Sequence, residues 1–218
     1  MGNREQLRDS LQKDSLQRKD GFWHSKAYHR YFEGYSEISV PSPNGKGTVV
    51  QRIYTGDYYR QDLAKPQRIL LRALYVVLYL CAVYLFVSNA ILPLPSNTTW
   101  YVTLAQAVSI PFLFWIAIVL FSYLPAGHNM TINEYRSSSQ ALKKSTLGAT
   151  ISMGLAALVI LIFIFLNQAN KPLVELPSMV KYLVGGLSVF LMNRIENKVN
   201  YLMIPSQNKL PEENSEIG

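Results

Sequence analysis

The feature that most constrains this chain is a stretch of 61 residues, from Ala73 to Asn133, that contains no Asp, Glu, Lys or Arg. The basic residues are segregated elsewhere: twelve of the 21 Lys and Arg precede residue 69. A water-soluble domain needs charged side chains distributed over its surface to stay dispersed. The uncharged stretch therefore indicates that lipid, rather than water, surrounds much of the chain.

Four apolar segments approach or exceed the roughly 20 residues that a helix needs to cross a hydrocarbon core about 30 Å thick. Breaker clusters separate the first three, "PLPSNTT" before Trp100 and "PAGHN" after Leu124. The fourth segment is the weakest, because Lys181 interrupts it. We predict an all-α integral membrane protein, with a four-transmembrane-helix bundle over residues 69–204 and spans at about 69–92, 100–124, 146–166 and 176–192.

Apolar residues continue at helical spacing after the fourth span, at Ile195, Val199 and Leu202. This spacing predicts that the helix extends along the inner membrane surface as far as Pro205. Arg194 and Glu196 are interpreted as interface anchors at the inner end of the span. Residues 205–218 form a polar tail.

Basic residues near the ends of spans predict the orientation, because cytoplasmic loops carry an excess of Lys and Arg. Basic residues precede the first span and occupy the connection after the second, whereas the first connection is uncharged. Both termini are therefore expected in the cytoplasm, in a multi-pass protein of the plasma membrane. Aromatic and basic side chains at these positions are expected to anchor the membrane surface: Trp23, Tyr31, Tyr35, Tyr58, Tyr59, Arg60, Lys65, Arg68, Arg136, Lys143 and Lys144.

The region before the bundle divides into a polar arm, residues 1–20, and a small cytoplasmic α+β region, residues 21–68. Its segment "FWHSKAYHRYFEGY" places aromatic residues on one helical face, which either lies in the membrane interface or packs on the strands that follow. The segment from Ser36 to Tyr54 predicts a β-hairpin, because alternating apolar residues flank a turn-rich centre. Two strands alone are marginal in water, and their edges can accept a partner strand.

The connection after the second span begins with Thr131 and Glu134, three residues apart as in a capping box, which predicts a helix that runs into the third span. At an offset of 76 residues, Tyr59 and Arg60 align with Tyr135 and Arg136. This weak similarity is the pattern of two duplicated helix hairpins. It is also the pattern of two unrelated cytoplasmic span ends.

Small or polar residues within the spans indicate helix contacts. A small-residue stripe in the third span and a glycine pair in the fourth predict close helix packing, within the bundle or with another subunit. Two polar residues in the second span predict an interhelical hydrogen bond or a polar path. The tyrosines of the first span are interpreted as packing residues. These sets are Gly148, Ser152 and Ala156; Gly185 and Gly186; Gln106 and Ser109; Tyr75, Tyr79 and Tyr84.

Sequence patterns that indicate chemistry are not found. His24 and His29 are five residues apart, so a helix does not align them for a metal. We find no phosphate-binding glycine loop, no nucleophile elbow and no pair of carboxylates. We therefore expect no enzyme activity, no metal and no cofactor. Membrane contact accounts for the net charge of +7, so nucleic acid is not expected as a partner.

These features favour a non-catalytic accessory or scaffold subunit of a larger membrane assembly, with the lipid bilayer and a protein in the membrane or cytoplasm as partners. A small oligomeric transporter or channel is the alternative, with Gln106 and Ser109 on its path. A lipid-directed enzyme ranks third, because the chain offers no acid–base pair.

Overall fold

The computed structural model describes residues 33–41, 48–166 and 172–206 of the chain. The predicted polar arm, nearly all of the aromatic segment and most of the C-terminal tail lie outside the described residues. The described part divides into two compact units. One contains the first two strands and the segment Thr131–Asn133, and the other contains Tyr59–Met130 and Glu134–Met203.

The smaller unit contains the predicted hairpin. Strands β1 (Tyr35–Pro41) and β2 (Thr48–Tyr54) pair antiparallel, with Tyr35 opposite Tyr54 and Pro41 opposite Thr48. Gly34 precedes β1 with a φ of +83°, and its carbonyl accepts hydrogen bonds from the backbone N–H of Thr55 and Gly56. A glycine suits this position, because a Cβ there would lie 2.8 Å from the ring of Tyr54.

The larger unit consists mainly of helices. Strand β3 (Tyr58–Gln61) leads into α1 (Lys65–Ala90), and a 3₁₀ turn at Pro95–Thr98 leads into α2 (Trp100–Ala107) and α3 (Ser109–Tyr123). After the short strand β4 (Asn129–Met130) and helix α4 (Ile132–Tyr135), a π-helical turn at Arg136–Gln140 leads into α5 (Ala141–Leu166). Helix α6 (Pro172–Lys198) is followed by β5 (Tyr201–Ile204).

Four helical segments are long and apolar enough to cross a membrane: Lys65–Ala90, Trp100–Tyr123, Ile132–Leu166 and Val174–Lys198. The second of these is interrupted at Val108. Proline has no N–H, so Pro111 cannot bond the carbonyl of Ala107, four residues earlier, and the break lies at this point. The third begins at Ile132, which agrees with the helix start predicted from Thr131 and Glu134 in the connection after the second span.

Helix α5 lies at the centre of the bundle, where it packs against α6, α3 and α2, and α1 packs against α6. The interior contains large apolar side chains such as Ile116, Met153 and Ile160. It also contains the polar side chains of Gln106, Ser109, Ser152, Glu175 and Glu196, all less than 10% exposed.

The outward faces of the same helices are apolar. Leu70, Phe121 and Phe165 are each more than 70% exposed. Burying apolar side chains and exposing polar ones is the distribution that water favours. This unit exposes large apolar side chains and encloses several polar ones, a distribution that suits an apolar solvent.

The chain beyond the fourth helix departs from the prediction. Helix α6 ends at Lys198, and Tyr201–Ile204 is a strand rather than a helical extension. It lies beside β3 in a three-stranded sheet of order β4-β3-β5, in which Tyr59 is opposite Met130. The spacing of apolar residues alone was misleading, because pairing with a distant strand satisfies this backbone better than a further helical turn.

Candidate functional site

A buried glutamate, Glu196, is the centre of the most extensive side-chain hydrogen-bond network in the described residues. Its side chain is fully buried in the last turns of α6. One carboxylate oxygen, Oε2, accepts hydrogen bonds from the hydroxyls of Tyr75 at 2.8 Å and Tyr123 at 3.1 Å. The other, Oε1, accepts from the hydroxyls of Ser139 at 2.5 Å and Tyr201 at 2.6 Å.

Gln61 adds a second layer to this network. Its amide nitrogen donates to the hydroxyl oxygens of Tyr123 and Tyr201, both at 2.9 Å. Each of these tyrosines therefore accepts one hydrogen bond from Gln61 and donates one to Glu196. We call Gln61, Tyr75, Tyr123, Ser139, Glu196 and Tyr201 the hydroxyl cage.

The hydroxyl cage joins six separate elements: β3, α1, α3, the π-helical turn, α6 and β5. A carboxylate presents about four acceptor positions on its two oxygens, and four hydroxyls occupy them here. Burial and the charge of Glu196 both raise the pKa of the Tyr201 hydroxyl above its usual range. That hydroxyl consequently remains protonated and able to donate. The arrangement orients the carboxylate and connects elements that are distant in sequence.

A second buried glutamate lies near the other end of α6. Glu175 is 1% exposed, and its carboxylate accepts hydrogen bonds from the backbone N–H of Ser96 at 3.1 Å and from its hydroxyl at 2.5 Å. These contacts satisfy polar groups at the start of the 3₁₀ turn. In the same region the amide of Asn89 donates to the hydroxyl of Ser178 at 2.8 Å. Helix α6 thus has a hydrogen-bonded carboxylate near each end.

The two polar residues predicted for the second span are both buried but differ in their contacts. The amide of Gln106 donates to the side-chain oxygen of Asn97 at 2.9 Å, at the same end of the bundle as Glu175. The hydroxyl of Ser109 has no hydrogen-bond partner in the part of the chain that the structure describes. The structure therefore does not join Gln106 and Ser109 in one network.

The small residues predicted for helix packing lie in the bundle interior or at helix contacts. Gly148 faces the ring of Phe112 on α3, Ser152 donates to the carbonyl of Ala149 in its own helix, and Ala156 is fully buried. Gly185 and Gly186 both face Met153. Gly148 therefore lies at a contact between α5 and α3, and the glycine pair lies at a contact between α6 and α5.

The residues predicted to anchor the membrane surface lie in varied environments. The rings of Tyr59 and Tyr135, which align in the weak internal similarity, stack at 4.5 Å with planes 4° apart. Tyr58 packs against Tyr54, and Tyr35 is 38% exposed. Arg60, Lys65 and Lys144 are exposed, whereas Arg68, Arg136 and Lys143 are half-buried. Trp23 and Tyr31 lie outside the described residues.

Sequence reasoning missed the hydroxyl cage and misassigned two of its members. Glu196 is not an interface anchor: it is buried, whereas Arg194, two residues earlier, is exposed. Tyr75 does more than pack, because it donates to Glu196. A signal was present, since Glu196 follows the buried residues Val189 and Met192 at spacings of seven and four, on one helical face.

Comparison of the chain with protein-family models, with curated proteins and with solved structures gives no match.

Proposed function

We propose that this chain is a multi-pass protein of the plasma membrane, with both termini in the cytoplasm, and that it acts as a non-catalytic accessory or scaffold subunit of a larger membrane assembly. Placement in a bilayer is supported by four long apolar helices whose outward faces carry large apolar side chains and whose interior contains several polar ones.

The orientation is supported by the basic residues of the connection after the second span and by the uncharged connection between the first two. It can be tested by labelling intact cells with a membrane-impermeant maleimide. Cys81 is exposed, so it is first replaced by Ser. In that background, we expect Thr98→Cys to be labelled and Ser215→Cys to be labelled only after permeabilisation. The reverse pattern would contradict the orientation.

The scaffold role is supported by one observation: in the part of the chain that the structure describes, no third strand pairs with the β1–β2 hairpin. The carbonyl of Gly34 accepts the N–H of Thr55 at 2.8 Å, so Tyr35 and Tyr54 form a pair that does not exchange backbone hydrogen bonds. Pairs with and without backbone hydrogen bonds alternate along antiparallel strands, so Ser39 and Val50 also form a pair without them. Their backbone N–H and C=O groups therefore point away from the opposite strand. In the described residues this sheet has two strands, so both edges can pair with an extended segment of a partner protein.

Two proline variants test this role and distinguish the edges. Ser39→Pro and Val50→Pro each remove one outward N–H and leave the hydrogen bonds between β1 and β2 in place. We expect one of them to lose a protein that co-purifies with the unmodified chain from native membranes in mild detergent, and the other to retain it. Ile38→Pro, which removes an inward N–H, is the control for a disrupted hairpin.

Two outcomes would exclude strand pairing as the mode of recruitment. One is that the chain purifies alone, and the other is that Ser39→Pro and Val50→Pro both retain the partner in full.

A small oligomeric transporter is the second candidate. The observation that favours it is the buried hydroxyl of Ser109, which lacks a hydrogen-bond partner in the described part of the bundle. A polar group without a partner is costly in an apolar interior unless water or a solute reaches it. Ser109→Ala and Gln106→Leu should then reduce solute flux into liposomes that contain the purified chain. Unchanged flux would remove both residues from the path.

A further inference from the structure

Four basic side chains converge from three segments near the start of α1. Arg68 and Arg72 are one turn apart on that helix, Arg60 lies on β3, and His128 immediately precedes β4. Arg60 is opposite Asn129 in the β3–β4 pair, so the backbone of His128 lies one residue from the position opposite Arg60. We call Arg60, Arg68, Arg72 and His128 the basic cluster.

Direct contacts hold these segments together. The Nη2 of Arg72 donates to the backbone carbonyl of Ala126 at 2.6 Å, which ties the connection after α3 to the second turn of α1. The pKa of His128 is lowered by burial and by the positive charges of Arg68 and Arg60. The imidazole therefore lies within the electrostatic field of both guanidinium groups.

Three nitrogen atoms of the basic cluster are buried without a hydrogen-bond partner in the described residues. They are the Nε of Arg68, the Nε of Arg72 and the Nδ1 of His128. None of the three arginines forms an ion pair with a carboxylate in the described part of the chain. Buried nitrogen atoms of this kind normally have partners, and charged ones almost always do. Their convergence indicates that a ligand with several acceptor oxygens completes the site.

The chemistry and surroundings of the basic cluster identify the class of ligand. Guanidinium groups match the geometry of phosphate oxygens, to which they donate two hydrogen bonds at once. Ile69 and Leu70, which lie between the two arginines of α1, are 59% and 71% exposed. A ligand with an anionic head and apolar chains would satisfy the nitrogen atoms and cover these side chains together. Soluble phosphate would do only the first.

We propose that the basic cluster binds the phosphate group of an anionic phospholipid. The site is more specific than general attraction between basic residues and an anionic surface, because it depends on the Nε atoms of two arginines and on an imidazole from a distant segment. It is also independent of the hairpin's proposed role in recruiting a partner. Failure of either proposal leaves the other unaffected.

The test uses the purified full chain in a neutral detergent, with bound lipid counted by native mass spectrometry during titration with dioleoyl phosphatidylglycerol. We expect Arg68→Gln to weaken binding about tenfold or more, which corresponds to the loss of one or two charge-assisted hydrogen bonds. Lys65→Gln is the matched control. It removes one positive charge from the same turn but lies outside the basic cluster, and we expect a change below about threefold.

A second variant separates geometry from charge. Arg72→Lys keeps the positive charge but lacks the Nε–H and the forked geometry of the guanidinium group. It should also weaken phosphatidylglycerol binding about tenfold. If Arg72→Lys binds as the unmodified chain does, or if Arg68→Gln and Lys65→Gln weaken binding equally, the proposed site is refuted in favour of diffuse surface charge.

The source of the phosphate is tested with two further probes. Phosphatidylcholine of the same chain length should bind at least about tenfold more weakly. Its choline group carries a positive charge, which the basic cluster repels. Inorganic phosphate should displace phosphatidylglycerol only at large molar excess. Displacement by equimolar inorganic phosphate would overturn the lipid assignment and identify a site for a soluble anion.

Discussion

Two tyrosines one turn apart on α1 show how differently similar residues can be used. Tyr75 is fully buried and donates to Glu196 at 2.8 Å. Tyr79 is half-buried, and its hydroxyl makes no hydrogen bond with the described residues. The sequence pattern gives the same interpretation for both residues, namely a packing position within an apolar span. The distinction depends on α6, which brings a carboxylate to one hydroxyl and not to the other.

Replacing these tyrosines by phenylalanine should therefore give unequal results. Tyr75→Phe removes one of four donors to a buried carboxylate, and a hydrogen bond to a charged group contributes about 1.5–3 kcal/mol. We expect a loss of that order in the free energy of unfolding, measured by denaturation in detergent. Tyr79→Phe should change it by less than about 0.5 kcal/mol. Equal losses would show that Glu196 does not depend on the Tyr75 hydroxyl.

His128 should make stability depend on pH. Its pKa in the folded chain is lowered, by burial first and then by Arg68 and Arg60. As the pH falls below about 6.5, the imidazole of the unfolded chain takes up a proton that the folded chain still excludes. The unfolding temperature in neutral detergent should therefore decrease between this pH and the lower folded-state pKa. His128→Gln should show a shallower decrease, and a parallel decrease would rule out this residue as a source.

At the scale of the element, helix α5 contains two glycines with opposite surroundings. A Cβ added to Gly148 would overlap the ring of Phe112 on α3, so this glycine permits close approach of the two helices. A Cβ added to Gly154 would meet nothing within 4 Å. Small size is thus required at one position and not at the other.

Alanine substitutions at these positions should shift stability in opposite directions. Gly148→Ala forces the Phe112 ring or the helix to move, and overpacking of this kind costs about 1–3 kcal/mol. Gly154→Ala should be neutral or stabilising by up to about 1 kcal/mol, because alanine favours helix more than glycine does. Thermal unfolding in detergent distinguishes them. Stabilisation by Gly148→Ala would show that the α3–α5 contact is looser than the structure indicates.

At the scale of the whole molecule, the helical unit exposes large apolar side chains and encloses the carboxylates of Glu175 and Glu196. A particle of this kind should partition into lipid. We expect the full chain to remain with the membrane fraction after washing with alkaline carbonate and to require detergent for extraction. Release by carbonate as a monodisperse, detergent-free particle would contradict the proposed membrane placement. Fractionation followed by immunoblotting measures the outcome.

The sequence predicted the elements whose formation depends on neighbouring residues. The four long apolar helices and the hairpin follow from composition and spacing within windows of about 20 residues. The prediction was wrong where a distant partner intervened, since Tyr201–Ile204 forms a strand beside β3. The break at Val108 was not predicted either, although Pro111, its cause, is visible in the sequence.

What the sequence determined by itself is the apolar length of each helix, because hydrophobicity is a property of each side chain and simply accumulates along the segment. What only the tertiary structure decided is which polar side chains turn inward and meet. Arg194 and Glu196 are two residues apart and equally charged in magnitude, yet one is exposed and the other is enclosed by hydroxyls from elements as distant as α1. A buried carboxylate is stable only where donors converge on it, and that convergence is created by the packing of α1, α3 and α6.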